Sequence, residues 1–110
     1  MEHNVREEGG AIVVAFKGEI DLEFSADVRT VLLDCVGRGS DVVVDMSEVE
    51  LIDSSGVASL LEAFQNARKK GRDFTLAAVG ETVLRVLKLA RLDTVFNIVE
   101  SLEEGLKEKG

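Results

Sequence analysis

The chain has 110 residues, 45% of them hydrophobic, which is the size and composition of one globular domain and not of a disordered segment. Its formal net charge of −8 disfavours binding to nucleic acid or to anionic lipid, because such a surface repels phosphate groups. With one cysteine, Cys35, and one histidine, His3, the sequence offers no disulfide, Cys/His metal site or histidine-based triad. We therefore expect a single domain over residues 1–110, without a cofactor, a bound metal or direct contact with nucleic acid.

Two strands joined by a tight turn are predicted near the N-terminus. Val5–Glu8 and the β-rich, apolar run Ala11–Phe16 flank a Gly9-Gly10 pair, and glycines accept the positive φ angles of such a turn. We expect these strands to pair antiparallel, with the second ending at Gly18. His3 precedes them and is expected to be a solvated tail residue.

A loop over Glu19–Leu22 is expected to lead into the first helix, which should begin between Glu23 and Ser25 and end at Gly37. Its apolar residues follow the spacing of a helix that buries one face, and they are Val28, Val31, Leu32, Cys35 and Val36. Cys35 is accordingly expected to be a buried structural thiol.

The middle of the chain predicts a buried strand and a long helix. Asp41–Met46 is apolar and β-branched between charged ends, as in a central strand that is buried on both faces. Ser47–Ile52 is expected to form a short connection with one helical turn. A helix is then predicted from Ser55 to Lys70, with an inner stripe of Val57, Leu60, Leu61, Phe64 and Ala67.

The last third predicts a strand over Phe74–Val79, a helix over Glu81–Leu89, a strand over Val95–Val99 and a C-terminal helix. That helix should start with a capping box formed by Ser101 and Glu104, and Lys107–Gly110 are expected to fray. The complete order, ββαβαβαβα, indicates an α/β fold with a mixed, mostly parallel sheet of about five strands and about four helices.

Open α/β sheets carry their functional residues at the carboxyl ends of the parallel strands, where this sequence places Asp21, Asp45 and the segment Asp53–Gly56. Asp and Ser residues at a helix start commonly cap unpaired N–H groups, and one such residue suffices for that role. Three polar residues stand in a row here. Because free N–H groups and the helix dipole favour a bound or covalent phosphate, a phosphoserine is the second interpretation of this segment.

Enzymatic function receives less support. No GxGxxG or GxxxxGK[ST] phosphate loop is present, and Ser54 has no histidine to act as a base. A receiver domain needs adjacent acids ahead of a helix and a lysine after a late strand, whereas Glu7-Glu8 enter a Gly-Gly turn and no lysine directly follows Val95–Val99. The remaining enzymatic alternative is a nucleotide or Mg²⁺ site at Asp21 and Asp45. We expect no catalytic residues.

The basic residues cluster at the predicted end of a helix, where the helix dipole stabilises cations, and they are Arg68, Lys69, Lys70 and Arg72. A docking patch is the alternative for this run. The sequence starts without a basic and then apolar leader, and no apolar run reaches the ~18–20 residues that a bilayer requires. We expect a cytoplasmic protein without membrane insertion.

Two motifs carry a resemblance to a known family. The run from Val42 to Val57, VVVDMSEVELIDSSGV, resembles the signature of STAS domains, specifically of bacterial anti-sigma factor antagonists. The run from Phe16 to Asp21, FKGEID, is similar to the Gly-Glu-Leu/Ile-Asp loop of that family. The predicted element order agrees with the STAS fold, so the resemblance covers nearly the whole chain.

The resemblance implies a regulator that catalyses nothing itself. In this family the serine after the motif aspartate accepts a phosphate, which implies Ser54 here. A serine kinase that is also the anti-sigma factor phosphorylates it, and a serine phosphatase reverses the reaction. The unphosphorylated antagonist binds the anti-sigma factor and releases the sigma factor. The resemblance implies that Asp21, Asp53, Ser55 and Gly56 form the partner-binding surface.

The same resemblance allows one alternative with the same fold. STAS proteins also serve as non-switching scaffold subunits of stress-signalling or lipid-transport complexes. In that case Ser54→Ala and Ser54→Asp would bind the partner equally well.

Overall fold

The structure of the chain is a computed structural model, which describes residues 2–107. The predicted α/β class and element order are confirmed, with five strands and four helices over these residues. The bounds are β1 Glu2–Glu8, β2 Ala11–Ile20, α1 Ser25–Gly37, β3 Asp41–Ile52, α2 Ser54–Lys69, β4 Phe74–Ala77, α3 Glu81–Leu89, β5 Asn97–Val99 and α4 Leu102–Lys107. Of the residues expected to fray, 108–110 lie outside the described part of the chain.

All five described strands lie in one sheet, in the order β1-β2-β3-β4-β5. β1 pairs antiparallel with β2 across the Gly9-Gly10 turn, in which both glycines have positive φ. β2, β3, β4 and β5 are parallel, with a helix in each crossover. The carboxyl ends of β2 and β3 therefore meet at one edge of the sheet, which we call the carboxyl edge.

The two faces of the sheet are covered differently. α1, α2 and α3 bury their apolar residues in one large cluster on the first face, where Cys35 is fully buried as expected. Burial raises the pKa of its thiol. α4 packs Leu102 and Leu106 on the second face, over the small residues Ala11, Val43, Ala77 and Val99. The core is thus aliphatic and lies mainly between the sheet and the first three helices.

β2 and β3 extend further than predicted. β2 passes Gly18 and ends at Ile20, and β3 continues through the predicted connection Ser47–Ile52. The expected strand end at Gly18 and the expected helical turn are therefore wrong, and Glu19 belongs to a strand instead of a loop.

Two β-bulges in β3 explain the difference. Between the pairs Ala15–Asp45 and Lys17–Glu48, β3 contains one more residue than β2, and this happens once more before Leu51. Bulges interrupt the alternation of buried and exposed side chains. The buried residues of β3 beyond Asp45 are consequently three apart: Met46, Val49 and Ile52. A spacing of three is typical of a helical turn, which is why the pattern misled the prediction.

The other differences concern strand ends. β1 begins at Glu2, so His3 lies in a strand beside Phe16, with ring centroids 6.4 Å apart, and is not a tail residue. β4 ends at Ala77 because the next residue, Ala78, has a positive φ of 57°. β5 is also shorter than predicted, since the N–H groups of the two residues before it donate to a turn.

We expect Gly18→Ala to lower the free energy of unfolding by about 1–3 kcal/mol, because Gly18 has a φ of 103° inside β2 and a side chain is strained there. Urea unfolding at neutral pH measures the change. Gly37→Ala is the matched control, since a Cβ at that helical position meets no atom within 4 Å. Equal losses in the two variants would contradict the prediction.

Candidate functional site

The carboxyl edge brings the predicted phosphorylation and partner-binding residues together. β2 ends at Ile20, directly before Asp21, and β3 ends at Ile52, directly before Asp53. The backbone N–H of Asp53 donates to the carbonyl oxygen of Ile20 over 3.1 Å, which joins the two strand ends. The loop after β2 and the start of α2 therefore form one continuous surface.

The carboxylate of Asp53 connects both parts of this surface. Asp53 is the N-cap of α2, and its Oδ1 accepts hydrogen bonds from the N–H of Ser55 at 3.0 Å and of Gly56 at 3.1 Å. The Ser55 hydroxyl also donates to Oδ1. The other oxygen, Oδ2, accepts from the N–H of Leu22 at 2.9 Å. One side chain thus caps the helix and holds the loop after β2.

These hydrogen bonds correct the expectation of free N–H groups at the helix start. The N–H groups of Ser55 and Gly56 are taken by the Asp53 side chain, and that of Val57 donates to the Asp53 carbonyl oxygen. The Ser55 hydroxyl first, and then the N–H donors, lower the pKa of the Asp53 carboxyl. An ionised carboxylate therefore already occupies the position that an anion would take, immediately beside Ser54.

The two serines of the motif have different environments. Ser54 is the first residue of α2 and is exposed. Ser55 is partly buried, and its hydroxyl is engaged with Asp53. Of these two hydroxyl groups, that of Ser54 is the one open to an approaching protein.

Gly56 packs beneath this surface. A Cβ at Gly56 would lie 2.6 Å from Cγ2 of Ile20, 2.7 Å from Cγ1 of Ile52 and 2.9 Å from the Ile20 carbonyl oxygen. Only glycine lets the first turn of α2 approach the strand ends so closely. Gly56 is buried and has a packing role in the structure, and its predicted part in partner binding stays a prediction.

The loop after Asp21 is held by its own hydrogen bonds as well as by Asp53. The Asp21 carboxylate accepts from the N–H of Glu23 at 3.1 Å, and its carbonyl oxygen accepts from the N–H groups of Phe24 and Ser25. The hydroxyl of Ser59 on α2 lies 3.0 Å from the Ser25 carbonyl oxygen. The loop is therefore held to α2 at two points, at Leu22 through Asp53 and at Ser25 through Ser59.

The surface around Ser54 is anionic. Segments 18–28 and 49–61, which include the carboxyl edge and the first turns of α1 and α2, contain no lysine or arginine. The nearest cation along α1, Arg29, pairs with Glu62 of α2 at 2.7 Å, and this contact lowers the pKa of the Glu62 carboxyl. The two segments contain six acidic residues: Glu19, Asp21, Glu23, Asp27, Glu50 and Asp53.

Asp45, the third predicted aspartate, does not lie at a strand end. It is inside β3, and its carboxylate accepts from the N–H of Ser47 at 3.0 Å in the first bulge. Residues 2–107 contain no group of three His, Cys, Asp or Glu side chains that could hold a metal ion. Over the same residues, no helix is long and apolar enough to cross a membrane.

The basic run lies at the far end of α2. Arg68 and Lys69 form its last turn and are exposed, as predicted for a helix C-terminus. The 16 residues of α2 span about 24 Å, so this run is well separated from Ser54.

Two contributors to the site were not predicted from the sequence. The sequence predicts Leu22 only as the last residue of a connecting loop, whereas in the structure it is 78% exposed beside the acceptor segment. Ser59 is buried and links α1 to α2 through its hydroxyl. The signal for Leu22 was available, since it is an apolar residue between two acids in a loop. No local signal distinguishes Ser59 from an ordinary helix residue.

The family model of the STAS domain matches residues 2–105. The chain belongs to the STAS family. The family assignment covers all nine described elements except the end of α4. The element order and mixed sheet of this STAS domain agree with the fold that the two sequence motifs imply.

Several known proteins are similar to this chain over nearly its whole length. The anti-sigma-B factor antagonist of Bacillus subtilis is 24% identical over 104 residues, which cover 94% of this chain and 95% of that protein. An anti-sigma factor antagonist from Mycobacterium paratuberculosis has a crystal structure that superposes with a TM-score of 0.89 and 26% identity, covering 97% of this chain and 92% of that one. The Bacillus cell fate determinant SpoIIAA, solved in its phosphorylated form, shares the fold with a TM-score of 0.77 and 16% identity, covering 99% and 100%.

We expect Gly56→Ala to lower the free energy of unfolding by about 1–3 kcal/mol, because the added Cβ overlaps the ends of both strands. Urea unfolding of this variant and of Gly37→Ala measures the difference. A Gly56→Ala protein as stable as the control would show that the helix can move away without cost.

We expect Asp53→Asn to lose stability most at neutral pH. Because the folded pKa of Asp53 lies below its ordinary value of 3.8, the ionised carboxylate stabilises the fold above that value. This stabilisation is lost as the pH falls through the lower folded pKa. The stability difference between wild type and Asp53→Asn should therefore shrink in acid, as measured by urea unfolding across that range. Glu50→Gln controls for the loss of one charge at the same edge, and a difference that stays constant with pH would contradict the prediction.

Proposed function

We propose that this STAS protein is an anti-sigma factor antagonist that phosphorylation of Ser54 switches off. The main observation is the contrast within the motif, in which Ser54 is exposed while the hydroxyl of Ser55 is engaged with Asp53. The name of the Bacillus subtilis relative supports the regulatory role. The phosphorylated fold neighbour supports the view that a protein with this fold can carry a phosphate.

The unphosphorylated form would bind an anti-sigma factor that is also a serine kinase, and so release the sigma factor. The partner would supply ATP and Mg²⁺. In the transfer, the Ser54 oxygen attacks the γ-phosphorus of ATP, ADP leaves, and the hydroxyl proton passes to a base of the kinase. A serine phosphatase would restore the hydroxyl by hydrolysis. This chain contributes only the acceptor, and we place it with these partners in the cytoplasm.

The structure suggests why a phosphate at Ser54 would oppose binding. Phosphorylation adds about −1.5 to −2 charges. The N–H groups of Ser55 and Gly56 already donate to Asp53, so they cannot pair with the new oxygens without breaking the cap. The phosphate would therefore stay hydrated on the surface. Burying that dianion in a close-packed interface requires removal of its water, which weakens the complex.

We expect the serine-kinase anti-sigma factors encoded in the same genome to transfer phosphate from labelled ATP to Ser54. Ser54→Ala should abolish the label, whereas Ser55→Ala, which keeps the exposed Ser54 hydroxyl, should retain it. Phosphosite mapping by mass spectrometry identifies the residue. A full label on Ser54→Ala would disprove the assignment.

The affinities of two Ser54 variants for the anti-sigma factor distinguish a phosphorylation switch from a non-switching scaffold subunit. Ser54→Ala should bind the anti-sigma factor as wild type does, and Ser54→Asp should bind at least about tenfold more weakly, which corresponds to about 1.4 kcal/mol. Calorimetric titration measures both. Equal affinities would favour the non-switching scaffold subunit.

A further inference from the structure

Leu22 and Leu89 are the two most exposed large apolar side chains among the described residues, at 78% and 81%. A single exposed leucine is common on protein surfaces and indicates nothing by itself. Leu89 is the last residue of α3, a helix that starts at the carboxyl end of β4 and runs back toward the other end of the sheet. Leu22 lies in the loop beside Ser54. Leu22 therefore differs from Leu89 in its location beside Ser54 and in the hydrogen bonds that hold its backbone.

The backbone around Leu22 is held in place while its side chain projects into solvent. Its N–H donates to Oδ2 of Asp53, and the residues on either side belong to the turn in which Asp21 accepts from Glu23, Phe24 and Ser25. A side chain on a backbone that is already ordered loses less conformational entropy on binding than one on a mobile loop. Leu22 thus has the physical character of a preorganised contact residue.

Asp53 places Leu22 close to Ser54. Asp53 contacts Leu22 through Oδ2 and the first turn of α2 through Oδ1, and Ser54 is the next residue after Asp53. A protein that reaches the Ser54 hydroxyl therefore also meets the exposed side chain of Leu22. The two segments that contain this pair, 18–28 and 49–61, carry six acidic residues and no lysine or arginine.

We propose that Leu22 is the apolar anchor of this docking surface, and that it inserts into an apolar pocket rimmed by lysine and arginine side chains on the partner protein. The proposal rests on the proposed function, because it takes that partner to be the anti-sigma factor. Protein interfaces combine a desolvated apolar centre with a polar rim, and anchor residues near the centre carry most of the binding free energy. The acidic residues of the segments that contain Leu22 and Ser54, among them Glu19, Glu23, Asp27 and Glu50, favour a partner of the opposite charge.

The anchor also explains how a phosphate on Ser54 would weaken binding. Insertion of Leu22 needs close approach of the two surfaces, while a hydrated phosphate on Ser54 holds them apart. A phosphate dianion beside Leu22 would have to lose its bound water before the apolar pocket could close on the leucine, and this desolvation opposes docking.

The test measures the affinity of the purified chain for the recombinant serine-kinase anti-sigma factor of the same genome. Leu22→Ala should weaken binding at least about tenfold, as for an interface anchor. Leu89→Ala, an identical truncation at an equally exposed site, should stay within about twofold of wild type. Leu22→Met, which keeps an apolar side chain of similar volume, should restore most of the affinity. Urea unfolding should show all three variants to be as stable as wild type, since neither leucine is buried.

The possible results test the role of Leu22 and the proposed function separately. If Leu22→Ala binds as wild type does while Ser54 is still phosphorylated, the anchor is disproved and the proposed function stands. If wild type neither binds nor is phosphorylated, the proposed function is disproved, and the anchor with it. Binding should also weaken as NaCl rises from about 50 to about 300 mM, because salt screens the charged rim. Affinity that does not depend on salt would disprove the basic rim.

Discussion

The arrangement of the surface around Ser54 depends on the hydrogen bonds that the carboxylate of Asp53 accepts. It accepts from the N–H groups of Ser55 and Gly56 on one oxygen and from the N–H of Leu22 on the other. A neutral side chain could cap α2, but only an acceptor with two oxygens in this orientation also holds the loop after β2. These donors lower the pKa of the Asp53 carboxyl, so the ionised form that makes both contacts persists to a lower pH than in an aspartate without them.

The bulged pairing of β2 and β3 makes this contact geometrically possible. The two extra residues in β3 let both strands continue until Ile20 and Ile52 end side by side, and the N–H of Asp53 then reaches the Ile20 carbonyl oxygen. Gly56 lets α2 start directly on these strand ends. The bulges therefore position the site, as they commonly do near functional residues.

Side-chain contacts join the helices that lie around Ser54. The hydroxyl of Ser59 and the ion pair between Arg29 and Glu62 connect α1 to α2 behind the surface. Under the proposed function, a phosphate on Ser54 would alter what the surface can bind without having to rearrange the fold. Charge and exposure at the carboxyl edge, more than any internal movement, would then set the state of the switch.

The order of strands and helices, the bounds of α3 and the burial of Cys35 followed from the sequence, because the spacing of apolar residues reports directly which face of an element is buried. The motif around Ser54 was also recognisable, since capping residues and glycine act within a few positions of one another. The length of β3, the engagement of Ser55 but not Ser54, and the exposure of Leu22 were not. The length of β3 and the exposure of Leu22 depend on contacts between residues about 30 positions apart in the chain, as between Leu22 and Asp53, and no local pattern encodes such a contact. Ser55 contacts Asp53 only two positions away, but which of two adjacent serines does so depends on how the tertiary structure orients the Asp53 carboxylate between α2 and the loop after β2.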